Sequence, residues 1–137
     1  LLFYAERLSH YAPFELLEVP ELTERGLTKE QQKAREAERL LAKIPRDAFV
    51  VMLDEGGKSL RSQDFAKFIE TRQNAAVKHL VFVVGGPYGH GQTLRERANL
   101  SLSLSAMTFP HDLVRLLFVE QLYRAFSILR NEPYHHE

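Results

Sequence analysis

Two groups of residues have the types and spacing that chemistry needs. The first is "VVGGPYGHG", residues 83–91, where Gly85, Gly86, Gly89 and Gly91 follow a β-branched apolar run. Glycine-dense turns after strands present backbone N–H groups, and these often cradle phosphate. Two phosphate-binding patterns can be tried on this stretch. Gly86 and Gly91 have the spacing of a P-loop, but Gln92 stands where that loop carries its lysine. The dinucleotide fingerprint fails too: the loop comes late, Pro87 interrupts it, and no acidic residue follows at the required distance. Two readings remain. The glycines serve a tight turn that needs positive φ, or their exposed backbone groups hydrogen-bond a flat heterocycle that carries no phosphate.

The second group lies near the C-terminus: His111, Arg124, Tyr134 and His135. A guanidinium can hold developing negative charge, and an imidazole can take a proton near neutral pH. Each also has a structural reading. Arg124 can pair with Glu120 one helical turn earlier, and His111 can cap the long helix with Asp112. His135, His136 and Glu137 look like a metal group, but adjacent histidines point apart, so no metal is expected.

These groups need elements to position them. Leu1, Tyr4, Ala5 and Leu8 share one helix face, predicting a helix over 1–11 that Pro13 closes. "FELLEVP", 14–20, alternates and predicts a half-buried strand. Residues 29–44 are strong helix formers with Thr28 as N-cap and Pro45 as stop, and their charges predict a solvated face. "AFVVMLD", 48–54, predicts a buried strand, and "EGGKS" a turn, with Ser59 or Ser62 capping a helix over 62–73. A second buried strand is expected at 79–86, a short helix at 93–99, a short strand at 100–105 and a long helix at 111–129. Strands buried on both faces, alternating with helices, predict an α/β fold: a mostly parallel sheet with helices on both sides. Ligands then sit beyond the carboxyl ends of the strands. The strand ends at Leu53–Gly56, Val84–Pro87 and Ser105–Thr108 look built for one.

The chain has 137 residues, which suits one domain, 1–137. Its 18 basic and 18 acidic side chains balance, so any RNA partner must be met by a local patch. With no cysteine, disulfides, thiolate metal sites and a cysteine nucleophile are excluded, and a cytoplasmic location is expected. No apolar run approaches the roughly 20 residues of a membrane span. The long helix carries apolar residues around most of its circumference, more than one sheet face can cover, so a homodimer is expected.

The segment "LSLSAMTFPHDLVRLLFVEQLYRAFSILRNEPYH" closely resembles the C-terminal signature of the rRNA large subunit methyltransferase H family, in the SPOUT class. "FVVGGPYG" and "VVMLDEGGKSLRSQDFAKFI" resemble two further motifs of that family. The resemblance spans the chain and is loosest over 20–45. It implies a C-terminal trefoil knot and a homodimer. It implies methyl transfer from S-adenosylmethionine to N3 of a pseudouridine in large-subunit (23S) rRNA on the assembled ribosome. The family's first strand, which ends in V-G-K, is absent, as if the numbering begins inside a longer chain.

By the same resemblance, cofactor contacts fall on Leu53, Gly85, Gly86, Leu104, Ser105, Ala106, Met107, Thr108 and Phe109. Catalytic or RNA roles fall on Arg124, Tyr134 and His135. Such a cofactor answers the missing lysine, because it has no phosphate to neutralise. Lys58, Arg61, His90, Arg130 and His136 join Arg124 and His135 as cationic or protonatable groups near the expected site edge. The rival reading is a non-catalytic RNA- or nucleotide-binding module on the same fold.

Overall fold

The computed structural model describes residues 2–17, 26–85 and 89–136. Among these described residues, five helices and three strands follow in the order α1 (Leu2–Leu8), α2 (Lys29–Lys43), β1 (Phe49–Ser59), α3 (Ser62–Asn74), β2 (Leu80–Val84), α4 (Gln92–Arg97), β3 (Leu100–Ser103) and α5 (His111–Leu129). The sheet runs β2-β1-β3, with both pairings parallel.

Neighbouring residues of β1 face opposite sides, and both sides are covered. Val51 and Leu53 join Leu102, Leu8 of α1, Phe65 and Ile69 of α3, and Phe118 and Leu122 of α5. Val50 and Val83 meet Ala37 of α2 and Leu94 of α4 on the other side. That explains the unbroken apolar run at the start of the strand: Val50, Val51, Met52 and Leu53 are all buried.

Local chemistry sets the ends. Thr28 and Gln31 form a reciprocal capping box at the start of α2. Asn99 pins β3 to β1: its N–H donates to the carbonyl of Val50 at 2.8 Å, while its side-chain oxygen accepts from the N–H of Val50 at 2.8 Å. Arg97 donates to the carbonyls of Pro45, Arg46 and Ala48, closing the carbonyl-rich connection after α2.

Several expectations are corrected. Residues 14–17 form no strand, and 18–20 lie outside the described residues. Leu16 and Leu17 are exposed, and Phe14 packs onto the main core without joining the sheet. "EGGKS" is not a turn: β1 continues to Ser59, and Leu53 and Lys58 both partner Leu102 across a register shift. Gly57 permits this close approach, since a Cβ there would lie 2.7 Å from the Ser101 carbonyl carbon. Neither Ser59 nor Ser62 caps α3. Arg61 holds that position without a side-chain cap, and the Ser62 hydroxyl donates to Gln121 instead. His111 is the first residue of α5, behind Pro110, and is not its cap.

Candidate functional site

The parallel sheet aims the ends of its strands at one region, and a cavity of about 550 Å³ opens there. Leu53, Asp54 and Glu55 reach it where β1 loses register, and Val84 and Gly85 reach it from the end of β2. Gly89 and His90 follow from the glycine stretch. The turn after β3 supplies Leu104, Ser105, Met107, Thr108 and Phe109, and Pro110, His111 and Val114 bring in the start of α5. The walls are thus apolar side chains, glycine backbone, two histidines, the hydroxyl residues Ser105 and Thr108, and two carboxylates, with no lysine or arginine among the lining residues.

Internal bonds shape the turn after β3. The Ser103 hydroxyl donates to the carbonyl of Ser105 at 2.9 Å, and the Met107 N–H donates to the Ser105 hydroxyl at 3.0 Å. The Thr108 hydroxyl then crosses to Glu55 at 2.5 Å. These bonds tie the turn to the far side of the cavity. Asp54 faces Arg95 of α4 at 3.5 Å.

His90 is not the charged edge group expected of it. It is 7% exposed, and its Nε2–H donates to the carbonyl of Leu53 at 2.6 Å. Burial holds its pKa below the usual histidine range; the bond to Leu53 opposes that shift, and the charge of Arg95 adds to it. Its Nδ1 has no partner among the described residues. The ring lies against Gly85, where a Cβ would come within 3.1 Å of Cε1. Gly85 is therefore small because an imidazole fills the space beside it.

The second group is assembled around Glu120. Its Oε1 accepts from Arg124 Nε at 2.9 Å, from Arg124 Nη2 at 2.7 Å and from the Tyr134 hydroxyl at 3.1 Å. Arg124 Nη1 lies 2.9 Å from His135 Nδ1. A guanidinium only donates, so Nδ1 accepts and the proton of a neutral ring sits on Nε2. Nε2 in turn lies 3.2 Å from the amide nitrogen Nε2 of Gln63; the N–H on the ring calls for that amide turned over, so that its oxygen accepts. Burial, the hydrogen bond with Tyr4 and the charge of Glu120 push the Tyr134 phenol above its usual range, so it stays a donor. The pairing of Arg124 with Glu120 is thus what the fold contains, with His135 and Tyr134 built onto it.

Of the residues expected at a cofactor, Leu53, Gly85, Leu104, Ser105, Met107, Thr108 and Phe109 line the cavity. Ala106 is exposed and does not line it, and Gly86 lies outside the described residues. Arg124, Tyr134 and His135 come together with one another but do not line the cavity. Gln63 and Glu120 were absent from the sequence-based site. The i, i+4 spacing to Arg124 marks Glu120, whereas no sequence signal marks Gln63. Asp54, Glu55 and Val84 carried a signal as strand ends. A smaller cavity of about 260 Å³ shares Leu104 and is walled by Ser62, Phe65 and Gln121. Among the described residues, no group of three His, Asp or Glu could hold a metal, with Glu137 outside them, and no helix is long and apolar enough to cross a membrane.

Comparison with known proteins finds the same pattern over the whole chain. A family model described as "Predicted SPOUT methyltransferase" matches residues 2–135. The protein named ribosomal RNA large subunit methyltransferase H of Christiangramia forsetii is 49% identical over 134 residues, 97% of this chain and 85% of that one. The proteins of the same name from Flavobacterium johnsoniae and Phocaeicola vulgatus are 47% and 49% identical, each covering 98% of this chain and 86% of their own.

Proposed function

The chain belongs to the ribosomal RNA large subunit methyltransferase H family of SPOUT methyltransferases, and from that premise we propose that it methylates 23S rRNA on the assembled ribosome. The methyl donor in this reading is S-adenosylmethionine and the acceptor is N3 of a pseudouridine. A C-terminal trefoil knot, a homodimer and a cytoplasmic location belong to the same reading.

The observation that carries it is the make-up of the cavity lining. Adenosylmethionine brings a sulfonium, an ammonium, a carboxylate and a flat heterocycle, and no phosphate. Leu53, Val84, Leu104 and Phe109 offer apolar walls, Gly85 gives close backbone, and Asp54 and Glu55 offer negative charge. A phosphate ligand would meet the carboxylate of Glu55, and no lysine or arginine is among the lining residues to hold the phosphate. That disfavours the nucleotide-binding module and fits a cationic cofactor. When bound, the cofactor supplies an electrophilic methyl group.

The chain's own residues then have separable tasks. The cavity holds the donor in place, and proximity removes much of the barrier. Arg124, oriented by Glu120, is the group suited to stabilise charge that develops on a uracil oxygen as the imide loses its proton. His135 gives up its contact with Arg124 before Nδ1 can accept a proton, because that lone pair is engaged. Since this cluster does not line the cavity of its own chain, a dimer that brings two sets together is part of the proposal.

The test is calorimetry with adenosylmethionine, followed by single-turnover methylation of ribosomes and mapping of the modified base. Saturable binding and one new N3-methylated pseudouridine are expected. Binding without methyl transfer to any ribosomal substrate favours the non-catalytic RNA-binding module. No binding sinks the proposal.

A further inference from the structure

Transfer of the methyl group removes one carbon and one positive charge from the cofactor. The adenine, ribose and amino acid moieties of product and donor are the same, so shape alone separates them poorly. A fixed charge near the sulfur separates them well. The lining offers two carboxylates for that purpose, and they differ in their surroundings. Asp54 faces the guanidinium of Arg95 at 3.5 Å, which offsets its charge. Glu55 is held at 2.5 Å by the hydroxyl of Thr108, a neutral donor that fixes a carboxylate without cancelling it. Thr108 belongs to the turn after β3, so this contact carries the charge of Glu55 across the cavity from β1 to that turn.

We propose that Glu55 is the specificity-determining residue that favours the sulfonium cofactor over its neutral thioether product. The inference rests on adenosylmethionine being the ligand of this cavity. Its consequence is kinetic as well as thermodynamic: losing the charge weakens retention of the product once the methyl group has left.

The test compares the wild-type chain with Glu55→Gln. The amide keeps an oxygen for Thr108 and a near-identical shape, and removes only the charge. Affinities for adenosylmethionine and adenosylhomocysteine are measured by calorimetry at low and at high salt. The ratio of the thioether's Kd to the sulfonium's Kd is expected to fall about fivefold in Glu55→Gln, as for one partly exposed ion pair. The change should come from weaker adenosylmethionine binding, with adenosylhomocysteine affinity held. High salt should shrink the wild-type ratio and leave the variant's alone. A ratio unchanged within about twofold overturns the inference, as do equal losses for both ligands, which would make Glu55 a mere anchor for Thr108. A wild-type chain that binds neither ligand fails at the prior step, the cofactor itself.

Discussion

His90 illustrates how burial changes what a side chain can do. A histidine beside glycines invites a role in holding anions, yet this one spends its Nε2–H on the carbonyl of Leu53 and is shut from water. Its folded pKa lies below the unfolded value near 6.5. The unfolded chain therefore binds more protons between the two values, and stability rises with pH across that window. Above about pH 6.5 the contribution is complete, and it is lost as pH falls toward the folded pKa. Thermal unfolding of wild type and His90→Gln from pH 7.5 to 5 should show a shallower acid-side decline in the variant; parallel curves would refute the assignment. In the other cluster, a guanidinium fork meets one carboxylate oxygen. Arg124→Lys keeps the charge and loses the fork, and His135→Ala removes the ring. Each should slow single-turnover methylation about ten- to a hundred-fold, the equivalent of ~1.5–3 kcal/mol. Adenosylmethionine affinity should hold, since neither residue lines the cavity. Loss of that affinity instead would assign them to the cofactor site.

At the scale of elements, the irregularity of β1 is the feature on which the site depends. Asp54 and Glu55 line the cavity where β1 departs from regular pairing. The strand bulges through Asp54–Gly57 and resumes pairing with β3 at Lys58. Gly57 lies so close to Ser101 that a Cβ would collide with backbone, which cannot turn aside as a flexible side chain can. Gly57→Ala should lower stability by about 1–3 kcal/mol, read in denaturant unfolding. It should also weaken cofactor affinity, because the bulge carries Asp54 and Glu55; wild-type values for both would mean the strand tolerates a wider bulge. Asn99→Ala tests the pin between β1 and β3. It leaves the Val50 N–H without its side-chain acceptor, at a cost of about 1–3 kcal/mol.

For the whole molecule, the open question is what covers the outer face of α5. Its middle and end are buried, with Phe118, Val119, Leu122 and Tyr123 in the core. Its first turns leave Leu113 40% and Leu116 36% exposed, and Met107, in the turn before α5, is 72% exposed. Large apolar side chains exposed at these positions suit a covered surface better than water. Sedimentation at micromolar concentration should find a dimer. Leu116→Glu should shift it toward monomer, since a charge placed in an apolar contact is left unpaired. Methyl transfer should fall in step with the loss of dimer, and a fully active monomer would refute the dimeric site.

The residues by themselves determined the alternation of helices and strands, because each buried strand is a short apolar run between strong helix formers and breakers. They determined that the sheet is parallel, since strands apolar on both faces need helices on each side. Motif resemblance marked seven of the fifteen lining residues, because the strand ends and the turn after β3 are contiguous stretches of the chain. Other features depended on distances between parts of the chain far apart in sequence. The strand expected at 14–20 does not form over its described part, 14–17, because alternation gives a face and supplies no sheet partner to pair with. "EGGKS" read as a turn because glycines permit both a turn and a close strand approach, and only the backbone of Ser101 decides between them. His90 bonds the carbonyl of Leu53, 37 residues earlier, and His135, besides Arg124, meets Gln63, 72 residues earlier. Tertiary structure decided these, because hydrogen-bond geometry and burial are properties of neighbours in space, and sequence spacing reports only neighbours within one helix or strand.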